Sequence, residues 1–194
     1  MNFWKLLNDI FENLFTLKVE TKRPASIPES SDCGIYVPEF EVKPKAIIKY
    51  KDNELDKLIC GLGWAESRST REKINYDTIG DKNIPDHAYG YLQIRIGVLS
   101  QVNQLWGTKY KVTDLLGEEG AKLSYKVCVD YLTKILPQYK SYKLALKAGI
   151  SLNEIYAKSW NGGCGFFQFY NTPNYERYSR GLDNYWETVK RGMK

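Results

Sequence analysis

The chain has almost none of the residues that build metal or redox centres. Among 194 residues there is one histidine, His87, and the four cysteines Cys33, Cys60, Cys128 and Cys164 show neither CxxC spacing nor accompanying histidines. That pattern gives no metal site, and the reading calls for no cofactor. Cys60 and Cys128 fall on apolar helical faces and read as small buried hydrophobes, while spacing fixes no disulfide partner for Cys33 or Cys164. His87 reads as an exposed loop residue. Long runs of like charge, zinc-finger spacings and RNA-binding signatures are all missing, which argues against nucleic acid as a partner. No segment reads as a transmembrane span, and no basic leader with a small-residue cleavage site marks a secretory signal.

What is present suits a globular protein of one good core: 43% hydrophobic and 14% aromatic residues in 194. A formal net charge of +5, spread along the chain, fits an anionic partner such as a cell-wall polymer.

Residues 1–20 read as an amphipathic helix, with Phe3, Leu7, Ile10, Leu14 and Leu17 at helical spacing and Trp4, Phe11 and Phe15 widening the stripe. Two roles fit it: packing on the domain or on a partner such as a virion protein, or lying in a membrane surface. Residues 21–45 carry Pro24, Pro28, Pro38 and Pro44 and read as an extended linker. Residues 46–194 read as the main domain, mostly helical. A stripe from Leu55 to Ala65 delivers Glu66 at a helix end, and a polar loop with a possible short hairpin follows from Ser69 to Pro85. Further helices are predicted over 91–106, 117–136 and 142–148, then from Ser151 to Trp160, and finally from Pro173 on with Thr172 as cap.

Glu66 is the residue with the clearest chemical promise. A carboxylate that ends a largely apolar helix is half-desolvated, which disfavours its charge and raises its pKa towards neutrality, as a general acid requires. Its company is Glu66-Ser67, Gly90-x-Leu92-Gln93-Ile94, Ala157-x-x-Trp160-Asn161-Gly162-Gly163 and Thr172-Pro173-Asn174-Tyr175. Tyr91 and the other tyrosines around these motifs suit a groove that meets carbohydrate with ring and hydroxyl, and equally suit a core.

In order and spacing this set resembles the lytic transglycosylase and goose-type lysozyme family, the family 23 glycoside hydrolases, from about Asp52 onward. There the patterns read Glu-Ser, Gly-Leu-Met-Gln-Ile, Ala-x-Tyr-Asn-x-Gly and a late Tyr. The resemblance implies a lysozyme-like helical fold and cleavage of peptidoglycan glycan strands at the β-1,4 link between N-acetylmuramic acid and N-acetylglucosamine. It makes Glu66 the catalytic acid, with Ser67, Tyr91, Gln93, Trp160, Asn161 and Tyr175 around the substrate. Goose-type lysozymes carry an Asp after the Gln-hydrophobic pair, and this chain has Arg95. Asp81 and Asp86 in the loop are then the candidates for a second acid. Asn171 stands where some relatives have an acidic residue that binds the stem peptide. The setting implied is a bacteriophage enzyme, carried in the virion or acting at the host wall during lysis.

Overall fold

The structure, a computed structural model, describes residues 48, 50–165, 167 and 173–194, with side chains from 179 in the last stretch. The predicted N-terminal helix, the proline-rich linker and Thr172 lie outside the described residues. Within them the protein is mainly helical, with six α-helices and one two-stranded ribbon. No helix among the described residues is long and apolar enough to cross a membrane.

Helix α1, Glu54–Ser67, is the axis of the domain. Asn53 caps it by accepting a hydrogen bond from the Asp56 backbone at 2.8 Å, and Glu54 and Asp56 place negative charge at the positive end of the helix. From Leu58 to Gly63 every residue is buried, so α1 is surrounded on all sides, as expected of a helix apolar all round. It ends at Arg68, which takes a left-handed φ of 59° while its backbone N–H donates to the Trp64 carbonyl at 3.1 Å. The chain therefore turns away immediately after Glu66 and Ser67. Asn53→Ala should cost about 1 kcal/mol, read as a lower urea midpoint at unchanged slope.

A ribbon of β1, Ile79–Gly80, and β2, Ala88–Tyr89, pairs antiparallel with Ile79 opposite Tyr89. Tyr89 and Ile94 then exchange both backbone hydrogen bonds, at 3.0 and 2.9 Å, which closes residues 90–93 into a turn. Gly90 (φ 71°) and Gln93 (φ 52°) are left-handed there, and a Cβ on Gly90 would stand 2.6 Å from the Leu115 carbonyl oxygen. The sequence puts a helix start at Tyr91. Helix α2 in fact spans Ile96–Trp106, because the backbone groups of 89 and 94 are already paired with each other. Ile96 stands on the first turn of that helix and is 61% exposed.

Helix α3 covers Gly117–Asp130, and the chain continues through a wide turn over Tyr131–Ile135 and a tight one over Leu136–Gln138. The single helix predicted over 117–136 is thus remodelled at its end. Pro137 lacks the N–H of a regular turn and its ring crowds the carbonyl four residues earlier. Thr133 adds to the bend by donating its hydroxyl to the Val129 carbonyl at 2.7 Å.

Helices α4 (Lys140–Lys147), α5 (Leu152–Gly162) and α6 (Pro173–Gly192) complete the domain. The predicted Ser151 cap accepts from the Glu154 backbone, while the Glu154 side chain pairs with Lys158 rather than returning to the cap. Lys158 is only 4% exposed and its ammonium also meets Asp183 of α6 at 2.5 Å.

One large core holds Leu58, Ile59, Leu62, Leu92, Ile94, Leu99, Val102, Cys128 and Leu132, and a smaller one holds Ala145, Ile155, Phe167 and Leu182. The packing of α1 on α6 depends on two glycines. A Cβ on Gly61 would lie 2.4 Å from the Val189 carbonyl oxygen, and one on Gly192 would lie 2.5 Å from Cβ of Trp64. The two backbones are in near contact, which fixes where each helix carries its side chains.

Candidate active site

Glu66 in the last turn of α1 opens onto a cleft of about 390 Å³. The ribbon lines one side with Gly80, Asp81 and Ala88, followed by Gln93, Ile94 and Arg95. Val98 of α2, and Trp160 and Asn161 at the end of α5, supply the rest. Glu66, Gln93, Trp160 and Asn161 therefore come together from three separate stretches of chain.

The Glu66 carboxyl is half-buried. Burial pushes its pKa up to about 7, against the Tyr185 hydrogen bond and the Arg95 charge, which lower it, and with Asp81, which raises it. Tyr185 of α6 donates its hydroxyl to Glu66 Oε1 at 2.5 Å. Burial and the neighbouring carboxylate hold the phenol well above its ordinary pKa, so it stays a donor. A carboxyl poised near neutrality, oriented from one side and open to a cleft on the other, is able to give up a proton and take one back.

The two loop carboxylates are tied down. Arg95 pairs through Nη2 with Asp81, and its Nη1 stands 3.5 Å from Asp86 Oδ2. These are part-exposed ion pairs of modest energy, but their geometry matters, since Arg95 holds both candidate second acids. Asp81 lines the cleft and Asp86 does not.

Several expected substrate contacts have other duties. Tyr91 is 1% exposed and belongs to the core, because the closed turn at 90–93 points its ring inward against Gly63. Ser67 does not line the cleft: its hydroxyl is 2.7 Å from the Tyr91 carbonyl and 2.6 Å from the Ser69 hydroxyl, which fastens the end of α1 to that turn. Gln93 does line the cleft, but its amide nitrogen donates to the carbonyls of Gly90 at 2.7 Å and Thr78 at 3.2 Å. It braces the turn against the ribbon instead of offering its N–H groups to an N-acetyl group. Trp160 donates its indole N–H to the Leu92 carbonyl at 3.1 Å and stands edge-on to Tyr131, leaving part of its surface to the cleft. The side chain of Tyr175 lies outside the described residues.

Tyr185 is the residue that sequence reasoning missed as a site residue. It shares the stripe of Tyr175, Tyr178, Leu182 and Val189 on the last helix, and that periodicity alone does not say which tyrosine reaches the acid. Comparison with protein-family models, with curated proteins and with solved structures gives no match. Among the described residues no cluster of His, Cys, Asp and Glu is arranged to hold a metal ion.

Tyr185→Phe removes a hydrogen bond that favours the charged carboxyl, so the Glu66 pKa should rise further. The carboxyl, raised to about 7 in the parent, should then titrate at higher pH. A bond of this charge-assisted kind contributes roughly 1.5–3 kcal/mol, so a rise of about one to two pH units is expected, read by NMR or infrared titration of the carboxyl. An unmoved titration would mean that Tyr185 does not set the proton affinity of Glu66.

Proposed function

We propose that the protein cleaves peptidoglycan glycan strands as a lytic transglycosylase, with Glu66 as acid and then as base. The observation that carries this reading is a single half-buried carboxyl, raised to about 7 and hydrogen-bonded by Tyr185, in a cleft whose other carboxylate is paired with Arg95. Glu66 gives its proton to the glycosidic oxygen as the bond from C1 of N-acetylmuramic acid breaks. The resulting carboxylate takes the proton of the C6 hydroxyl of the same sugar, and O6 bonds to C1. Atoms balance without water, Glu66 ends protonated as it began, and the product is a 1,6-anhydro ring.

Lysozyme-type hydrolysis of the same bond is the second reading, and one observation favours it: Asp81 lines the cleft on the ribbon side, within electrostatic reach of Glu66. Such a carboxylate, freed from Arg95, would be placed to hold a water. Digestion of purified peptidoglycan followed by mass analysis separates the two. Muropeptides lighter by one water support the transglycosylase, and reducing ends support the hydrolase. Sugar binding with no soluble fragments would instead mark a wall-binding module. The biological setting that goes with the leading reading is a bacteriophage enzyme, virion-borne or acting at lysis.

A further inference from the structure

Arg95 is the last residue before α2, held in extended backbone (φ −91°, ψ 158°) directly after the closed turn at 90–93. From there its side chain reaches back over the ribbon, where Nη2 pairs with Asp81 Oδ2 and Nη1 donates to the Asp86 backbone carbonyl. Arg95 and Asp81 both line the cleft with Glu66. Arg95 favours the charged form of the Glu66 carboxyl and Asp81 disfavours it, so both stand within electrostatic reach of the acid.

The place of Asp81 does not depend on that guanidinium. Gly80 pairs with Ala88 across the ribbon, and the Asp81 carbonyl accepts from the Ile84 backbone at 3.0 Å, which closes a turn right after the strand. Asp81 itself takes a left-handed φ of 54°, which an aspartate tolerates better than most residues. Gln93 donates to the Thr78 carbonyl and leaves no room for a Cβ on Gly80. Backbone bonds thus set where the Asp81 carboxylate stands, and Arg95 sets what it meets there.

Once the bond at C1 of N-acetylmuramic acid breaks, two nucleophiles compete for that carbon. The C6 hydroxyl of the same sugar bonds through O6 and passes its proton to Glu66. Water would bond through its own oxygen and pass one proton to Asp81, which would return it to Glu66 through solvent. That second route needs a carboxylate oxygen free to accept from the water. Arg95 occupies Oδ2 of Asp81, and a guanidinium has donors only, so it cannot itself take the proton.

We propose that Arg95 is the positioning residue that decides the product: it ties up Asp81, so that the intermediate closes on its own C6 hydroxyl and not on water. The inference deepens the reading of Glu66 as acid and then base, and rests on it. Purified peptidoglycan is digested by the full chain and by its variants, and mass analysis gives the ratio of reducing-end to anhydro muropeptides. Because the ratio is taken among products, a smaller folded fraction or a slower overall turnover does not move it. Arg95→Met keeps the stem and removes the guanidinium, and should raise the ratio at least about tenfold, a change of about 1.4 kcal/mol between the two routes. Arg95→Gln, which keeps an amide to donate to the Asp86 carbonyl, should shift it in the same direction. Adding Asp81→Asn to either should return the ratio to that of the parent, since Asn can hold a water but cannot take its proton. An unchanged ratio in both single variants, a raised ratio that survives Asp81→Asn, or no soluble product from either single variant would overturn the role of Arg95 alone. Absence of anhydro products from the parent itself would overturn the transglycosylase reading and this inference with it.

Discussion

Glu66→Gln is expected to lower turnover on peptidoglycan by about 10²- to 10⁴-fold, the usual contribution of a general acid-base group, with the fold unchanged. Gln keeps the volume and can still accept from Tyr185, but it has no proton to give. The same variant should also be more stable than the parent at high pH. The folded-state pKa of Glu66 is raised from 4.5 to about 7. Below 4.5 the carboxyl is protonated whether the chain is folded or not. Between 4.5 and 7 the folded form keeps a proton that the unfolded form has lost, so parent stability falls as pH rises through that window. Gln never ionises and escapes the loss. At about 1.4 kcal/mol per unit, discounted for partial exposure, the gap between variant and parent should grow by on the order of 2 kcal/mol from pH 4 to pH 8. Denaturant titrations at both pH values read the gap, and parent-like digestion by the variant would end the acid-base assignment.

Gly61→Val should produce the largest loss of stability. Its Cβ would meet the Val189 carbonyl oxygen at 2.4 Å and the Met193 side chain at 2.8 Å, and the first of these is backbone that has no rotamer to escape into. Overpacking of this kind costs about 1–3 kcal/mol and more where a helix must move, so about 3 kcal/mol and a fall in Tm of about 6–12 °C are expected. Activity should fall beyond what the lost folded fraction explains, because α1 carries Glu66 and α6 carries Tyr185. Pushing the two helices apart lengthens the 2.5 Å bond between them. Full activity per folded molecule would show that the site tolerates a wider crossing.

The elements legible in the sequence were those set by local chemistry. Ser151, Pro173 and Gly107 all stand at helix ends in the structure, since capping and proline or glycine stops act within a few residues. Glu66, Gln93, Trp160 and Asn161 were found as a group because their motifs are short and contiguous. What was not legible depended on partners distant in sequence. The turn at 90–93 reads as a helix start until the bonds between Tyr89 and Ile94 and the approach of Leu115 are known. For the same reason Tyr91 and Ser67 looked like substrate contacts, and the part played by Arg95 at the ribbon lip could not be foreseen. Tyr185 is 119 residues from Glu66, and only the helix crossing shows that it comes within reach of the acid.

The ammonium of Lys158 has a consequence for the cleft as a whole. It is sealed between α5 and α6 and meets Glu154 at 2.6 Å and Asp183 at 2.5 Å. Two residues towards the C-terminus of Lys158 comes Trp160, and two beyond Asp183 comes Tyr185. If either helix slid along the other by a turn, a largely buried positive charge would keep Glu154 on its own helix and lose Asp183, at a penalty moderated by the exposure of Asp183. The triplet thus works like a dowel between two planks: it adds little to how firmly they adhere, but it dictates the alignment in which the Trp160 indole lines the cleft while the Tyr185 phenol reaches Glu66.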